Sequence, residues 1–235
     1  TSDSLDHGPE AIWAHLTPVL KKIKNEFPMI DTVDFVSDCP ATQYRQKGNF
    51  LLLSIKPWEL GFKRATWNFL EAGHGKGIPD AVGGSLKRKA RDLVKFGTSL
   101  MSADDFTTEL SKNSEVFITQ ISQEEISNVY ADMKKYSEPT TVQGTMKIHQ
   151  VYASSESPEV IHHREVSCTC QSIPCHDGHR LKRFDFKEPN CDEPPQDSQQ
   201  PLEEKCGEHL SSLRECDTFA KLKRMASKIV LPDID

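Results

Sequence analysis

Apolar and polar residues alternate with helical spacing over residues 8–27. The pattern predicts an amphipathic helix there, with Pro9 near its start, where proline is well tolerated. Pro18 predicts a kink or a break, because a proline inside a helix has no backbone N–H to bond to the preceding turn. The predicted apolar face consists of Ile12, Leu16, Val19, Leu20 and Ile23.

Strands and helices are then predicted to alternate through the first hundred residues. Residues 31–38 are typical of a short buried strand that ends in an acid, and residues 63–72 of a second strand. Residues 40–55 are ambiguous, with a helical start favoured, and a helix is predicted over roughly 80–96. This order predicts an α/β layer with a mostly parallel sheet.

Helix-start signals supplement the spacing in the next part of the chain. Ser102 followed by two acids predicts the start of one helix, and Ser122 with Glu125 matches the capping box that opens another. Residues 115–122 are predicted to form a strand, and residues 144–154 alternate like another.

The composition changes sharply near the end of the chain. Residues 187–204 hold four prolines and six acids with almost no apolar residues, which predicts a disordered linker. An amphipathic helix is predicted over about 203–228. The predicted organisation is therefore an α/β core over 1–100, an extension with helices, strands and a Cys/His patch over 101–186, and an acidic, proline-rich tail with a terminal helix over 187–235.

The bulk composition limits the class of protein. Hydrophobic residues make up 36% of the chain and the mean hydropathy is -0.56, so we expect part of it to remain unfolded. No apolar run is long enough for a membrane span, and the start of the chain lacks the features of a signal peptide. Seven cysteines, an odd number, argue against a disulfide framework. We expect a nuclear or cytoplasmic protein that is not secreted and has no membrane partner.

The charge is distributed unevenly. Residues 45–95 carry eleven Lys and Arg against four acids, a balance of +7, within a chain whose net charge is -6. The remainder is therefore strongly acidic. A basic middle favours a polyanion as partner, and a solvated helix face is the alternative interpretation.

Asp38 is the first candidate site residue, because it follows a predicted buried strand. Ligands of α/β sheets bind where the carboxyl ends of the strands open into a crevice, so Asp38 is well placed to bind a metal ion. Taken alone, a role as the cap of the next helix is favoured, with Pro40 just inside that helix.

The glycine-rich stretch 71–85 does not fit the known nucleotide-binding patterns. Gly77 stands where a phosphate-binding loop needs Ser or Thr, and Gly73, Gly75 and Gly77 do not complete a dinucleotide motif. The stretch instead predicts a turn between a strand and a helix that opens near Pro79 and Asp80.

Asp80 is by default a helix cap, yet it and Asp38 would both lie at one edge of the predicted sheet. Carboxylates that converge there can bind Mg²⁺ or Mn²⁺, and two such ions support in-line phosphoryl displacement. His74 and Lys76 are candidates to contact a phosphate. The following helix carries basic residues that could follow a DNA backbone, namely Lys87, Arg88, Lys89 and Arg91.

Three stretches together carry a family resemblance: "SDCPATQYRQKGNF", "ATWNFLEAGHGKGIPDAVGGSLKRKA" and "GTMKIHQVY" with "REVSCTCQSIPC". The chain resembles transposon-derived proteins with an RNase H-like DDE/D integrase core. The resemblance covers about Ser2 to Cys175, and its most specific part is Ser37 to Arg91. It implies a partial RNase H-like α/β fold with helical additions. Cys39 stands where family members have Gly.

The resemblance also implies roles for the acids. Asp38 corresponds to the second catalytic acid, and Asp80 is preferred over Glu71 as the third. The three opening strands that carry the first catalytic aspartate are missing, and neither Asp3 nor Asp6 can replace it. Since the carboxylates act as a unit, we expect an N-terminally truncated chain that has lost the ancestral Mg-dependent cleavage and transfer of DNA strands.

A domesticated, non-catalytic module that binds DNA or protein is the alternative function, and a pseudogene product without a stable fold is a third. A homo-oligomer is left open. An in-frame upstream segment encoding an aspartate would restore the enzyme interpretation.

The Cys/His patch is a separate candidate. Thiolates and imidazoles are the usual ligands of Zn²⁺, and the patch offers Cys168, Cys170, Cys175, His176 and His179, with His162 and His163 nearby. The spacing lacks the paired hooks of ordinary zinc fingers, so free reduced thiols are the alternative to a structural zinc site.

Overall fold

The computed structural model describes residues 1–38, 43–70, 77–112, 114–168 and 180–188. Its helices are α1 (Pro9–Glu26), α2 (Lys47–Leu53), α3 (Lys56–Glu59), α4 (Ile78–Lys95), α5 (Ala103–Ser111) and α6 (Gln123–Met133). Its strands are β1 (Thr32–Ser37), β2 (Arg64–Phe69), β3 (Gln150–Ser154), β4 (Val160–Arg164) and β5 (Lys182–Asp185). A short 3₁₀ helix, Thr145–Lys147, precedes β3.

The five strands form one mixed sheet in the order β1-β2-β3-β4-β5. β1 and β2 are parallel, and every other neighbouring pair is antiparallel. The expectation of a mostly parallel sheet is therefore correct for β1 and β2 and wrong for the sheet as a whole. The connection from Ser154 to Val160 is too short for the crossover that parallel strands need, so β3 and β4 form a hairpin.

The core lies on one face of this sheet. Alternate residues of each strand point to the same face, and those of β2, β3 and β4 that are buried there are Ala65, Trp67, Phe69, Val151, Ala153 and Ile161. α1 packs against both α2 and α6. The sheet therefore crosses the predicted boundary at residue 100, since β2 pairs with β3.

Several predicted elements are confirmed with small shifts at their ends. α1, β1, β2 and α4 lie where the spacing predicts them. Ser102 accepts a hydrogen bond from the Asp105 N–H, and Ser122 accepts one from the Glu125 N–H, so both predicted helix starts are capped by the expected serines. α1 continues through Pro18, and the predicted break is wrong. Buried Trp13 and Leu20 anchor the helix on both sides of that proline.

Other predictions need correction. Residues 115–122 form no strand of the sheet. Their backbone instead meets the start of the chain, where the Thr1 amino group donates to the Thr119 carbonyl at 2.7 Å and the Ile121 N–H donates to the Thr1 carbonyl at 2.7 Å. The helix expected early in 40–55 begins at Lys47. The predicted tail over 187–235, apart from its first two residues, lies outside the described residues.

Gly48 marks the close contact between α2 and α1. A Cβ at this position would lie 2.6 Å from Cγ of Pro9 and 3.1 Å from its Cβ. Because the proline ring cannot rotate away, we expect Gly48→Ala to lower the free energy of unfolding by roughly 1–3 kcal/mol, measured by urea denaturation. Gly84→Ala in α4 is the matched control, since no atom lies within 4 Å of its added Cβ. Equal stability of the two variants would contradict this packing.

Candidate functional site

The carboxyl ends of β1 and β2 lie side by side. Their last residues, Ser37 and Phe69, are register partners, and the Leu70 N–H donates to the Ser37 carbonyl at 2.9 Å. Asp38 follows β1 directly and is exposed. One edge of the sheet therefore carries Asp38 next to the beginning of the connection that leads from β2 to α4, as the alternation of elements predicts.

The core holds the backbone beside Asp38 in place. Nε1 of Trp67 donates to Oγ of Ser37 at 3.0 Å, and that hydroxyl donates to the Asp38 carbonyl at 2.9 Å. The first described helix after β1 begins only at Lys47, so Asp38 does not cap it. Residues 39–42 lie outside the described part of the chain.

Asp80 caps the start of α4. Its Oδ2 accepts the Gly77 N–H at 3.2 Å, which is the default role of an acid at this position. The side chain is otherwise exposed. The alternative acid Glu71, together with His74 and Lys76, lies outside the described residues.

A complete metal site is absent from the described residues. They contain no group of three or more His, Cys, Asp or Glu side chains that could hold a metal ion. Asp38 and Asp80 thus have no third ligand beside them within the described part of the chain. The predicted magnesium or manganese site therefore stays a prediction.

The Cys/His patch falls largely beyond what the structure describes. Cys168 is described and is buried, with 7% of the residue exposed. The other predicted zinc ligands, Cys170, Cys175 and His176, lie outside the described ranges. The zinc hypothesis therefore stays a prediction.

His162 and His163 cannot bind one ion together, because they are consecutive in β4 and point to opposite faces of the sheet. His163 lies on the core face, where burial and, next in size, the charge of Lys182 on β5 together lower its pKa to about 4. His162 lies on the other face beside Tyr152, and burial, then the charge of Arg183, lowers its pKa.

α4 presents an exposed basic surface. The helix has no buried residue and packs against α5. Arg88, Arg91 and Lys95 are spaced so that they lie along one side of it, and all three are exposed. The residues predicted to follow a DNA backbone are exposed without exception: Lys87, Arg88, Lys89 and Arg91.

The sequence did not predict a line of three polar residues across the sheet, which we call the polar row: Asn68, Gln150 and Arg164. Gln150 is the register partner of both Asn68 on β2 and Arg164 on β4. Gln150 and Arg164 are buried, with 4% and 5% exposed. Strand alternation places the row on the face opposite the core. A correct prediction of β4 and of its register would have been needed to find it.

No helix in the described part of the chain has the length and apolar composition needed to cross a membrane. No curated protein and no solved structure matches the chain. The family described as Domain of unknown function (DUF8701) matches residues 1–167, which is most of the 235-residue chain and includes Asp38, α4 and the polar row. The chain therefore belongs to the DUF8701 family.

Proposed function

We propose that this chain is a transposase-derived, RNase H-like protein that binds DNA through α4. In this proposal the described part of the chain does not cleave DNA. The observation that carries the proposal is the parallel pair β1 and β2, whose carboxyl ends are level at one edge of the sheet. Asp38 lies at that edge, and the connection leaving β2 leads to the basic helix α4. The order of strand, helix, strand and helix supports the RNase H-like interpretation.

The acids fit a lost rather than an intact catalytic centre. In this proposal Asp38 and Asp80 descend from carboxylates that bind Mg²⁺ or Mn²⁺. Asp80 now caps α4, and no third ligand accompanies the two acids among the described residues. We therefore assign no metal-dependent step to them.

The basic surface of α4 supplies what DNA binding needs. Exposed guanidinium groups pair with phosphate oxygens and release counterions from the DNA, which makes the affinity depend on salt. Arg88 and Arg91 lie on neighbouring turns, and α4 contains only two acids, Asp80 and Asp92. Phosphate contacts of this kind position a protein on DNA without reading its sequence.

Neutralising this surface is expected to weaken DNA binding. The double variant Arg88→Gln and Arg91→Gln should bind a fluorescent duplex at least about tenfold more weakly in anisotropy titrations. The slope of log K against log salt should fall by about two, one for each lost phosphate contact. Glutamine retains high helix propensity, so α4 should persist.

The matched control removes two exposed charges elsewhere, through Lys21→Gln on α1 and Lys134→Gln at the end of α6. It should bind like the original chain. An equal loss of affinity in the control would refute a specific role for α4. The chain can be tested for Mg²⁺-dependent nicking of a plasmid. Nicking that Asp38→Asn abolishes would show that the chain cleaves DNA and would refute this part of the proposal.

A protein partner for α4 is the second candidate. Val94 and Phe96, at the carboxyl end of the helix, are 55% and 84% exposed. Apolar patches exposed on the surface of a protein often mark the sites where another protein binds. Failure of the chain to bind duplex DNA at any salt concentration would favour a protein partner.

A further inference from the structure

Arg164 carries a buried positive charge without a described counter-ion. The residue is 5% exposed, and its Nε has no hydrogen-bond partner among the described residues. Arginine remains charged in proteins, and a buried charge that lacks a partner destabilises the fold. Within the described ranges the side chain forms no ion pair, so its environment favours an anion supplied from outside.

The acid next to Arg164 in the chain and the acid of the neighbouring strand β5 are already engaged. Glu165 pairs with Lys182 at 3.2 Å, and Asp185 pairs with Arg183 at 2.7 Å. Glu165 also follows Arg164 directly, so strand alternation directs it towards the other face of the sheet. Neither acid neutralises Arg164.

The rest of the polar row offers one loosely held donor, the amide nitrogen of Asn68. Nε2 of Gln150 donates to Oδ1 of Asn68 at 2.7 Å and to the Cys168 carbonyl at 2.8 Å, and its Oε1 accepts the Cys168 N–H at 3.4 Å. These bonds engage both N–H donors of Gln150, and they engage the side-chain oxygen of Asn68 as an acceptor. The Asn68 amide nitrogen makes only a long contact, 3.4 Å, to the Phe35 carbonyl.

A second buried guanidinium lies near the start of β3. Arg45 is 6% exposed, and its Nη1 donates to the Ile148 carbonyl at 3.2 Å. Its Nε has no hydrogen-bond partner in the described part of the chain. Ile148 precedes β3, whose first residue, Gln150, belongs to the polar row. The two arginines thus raise the positive potential at this end of the sheet.

We propose that the polar row is a phosphate-binding site anchored by Arg164, and that the phosphate belongs to a nucleic-acid backbone. A guanidinium binds phosphate oxygens through two parallel hydrogen bonds, which suits this planar group better than a lysine. The site itself follows from the buried charge of Arg164 and from the loosely held amide donor of Asn68 in the same row. The assignment to nucleic acid rests on the proposed function.

The position of the row suits such a ligand. Asn68 is the next-to-last residue of β2, so the row lies towards the sheet edge that carries Asp38. β4 is separated from β1 by three strand spacings of about 4.8 Å each. One nucleic-acid strand is long enough to follow that edge from β1 to β4.

Thermal denaturation of the full chain with inorganic phosphate tests the site. Against chloride at the same ionic strength, saturating phosphate should raise the Tm by roughly 2–4 °C. Arg164→Met should abolish this rise without lowering the Tm in chloride. Arg164→Lys should fold equally well and retain only part of the rise. Arg64→Met is the matched control and should keep the full rise, because this arginine is exposed at the opposite end of β2.

Anisotropy with a fluorescent single-stranded oligonucleotide tests the source of the phosphate. Arg164→Met should weaken binding about tenfold and lower the salt slope by about one. A phosphate-dependent rise in Tm together with unchanged oligonucleotide affinity would overturn the assignment to nucleic acid. A rise that persists in Arg164→Met, or no rise in the original chain, would overturn the site. The α4 double variant should keep the phosphate-dependent rise in Tm. Failure of the proposed function can therefore be distinguished from failure of this site.

Discussion

Replacing Trp67 with alanine is expected to lower the free energy of unfolding by about 3–5 kcal/mol, the largest loss we expect from one substitution in this chain. Trp67 is 1% exposed and lies among aromatic rings from three other parts of the fold. Its ring centroid is 5.2 Å from that of Phe35, 6.1 Å from Trp13 and 6.0 Å from Tyr44. The cavity would therefore open where β1, β2 and α1 meet.

Urea denaturation followed by circular dichroism measures this loss without depending on tryptophan fluorescence. Trp67→Phe is the control, since it keeps an aromatic ring but loses the hydrogen bond from Nε1 to Ser37. It should cost clearly less than the alanine variant. A loss below about 1 kcal/mol for Trp67→Ala would contradict the central position of this ring.

Lowering the pH from 6.5 to 4 is expected to destabilise the fold through His163. The pKa of this side chain is lowered from 6.5 to about 4. Burial is the largest cause, the charges of Lys182 and His162 act in the same direction, and Glu165 opposes them. Between these two values the unfolded chain takes up a proton that the folded chain does not. Stability is therefore retained above pH 6.5 and lost as the pH falls towards 4, by up to about 3 kcal/mol.

His163→Leu should flatten this dependence, because it removes the titrating group while it keeps an apolar side chain on the core face. Urea midpoints at pH 7.5, 5.5 and 4.5 would show the difference between the two proteins growing as the pH falls. Burial also lowers the pKa of His15 to about 4. The variant should therefore still lose stability in acid, but less than the original chain does. Parallel curves for both proteins would exclude His163 as the cause.

Elements with strong local signals could be predicted from the sequence. α5 and α6 each begin with a serine whose hydroxyl accepts a backbone N–H three residues later, and that pattern is visible without tertiary information. α1 and α4 show a long helical period. Pro18 illustrates the limit of local rules, since packing on both sides of it outweighs the lost hydrogen bond.

Strands were harder to predict, because a strand needs a partner elsewhere in the chain. Residues 115–122 alternate suitably, yet their backbone bonds to Thr1 and Ser2 instead of to the sheet. β4 and β5 are short and mix apolar with charged residues, so neither gave a usable period. Their place is set by register with β3 and with each other.

The candidate site divides in the same way. The cap at Asp80 and the exposed cations of α4 follow from neighbours in sequence, so they could be predicted. The polar row could not, since Asn68 and Arg164 meet only through Gln150 in a register that joins distant parts of the chain. Acids in a sequence suggest metal ions, whereas one buried arginine gives no signal until its surroundings are known.

α4 contains no fully buried residue, although it is one of the longest helices described. Substitutions on its surface can consequently accumulate with little effect on folding, whereas changes at Trp67 or Gly48 cannot. The helix that we propose to meet DNA is thus also the part of the structure most free to diverge among relatives. Selection could retune what this helix binds, or abolish its binding, while the sheet stays unchanged.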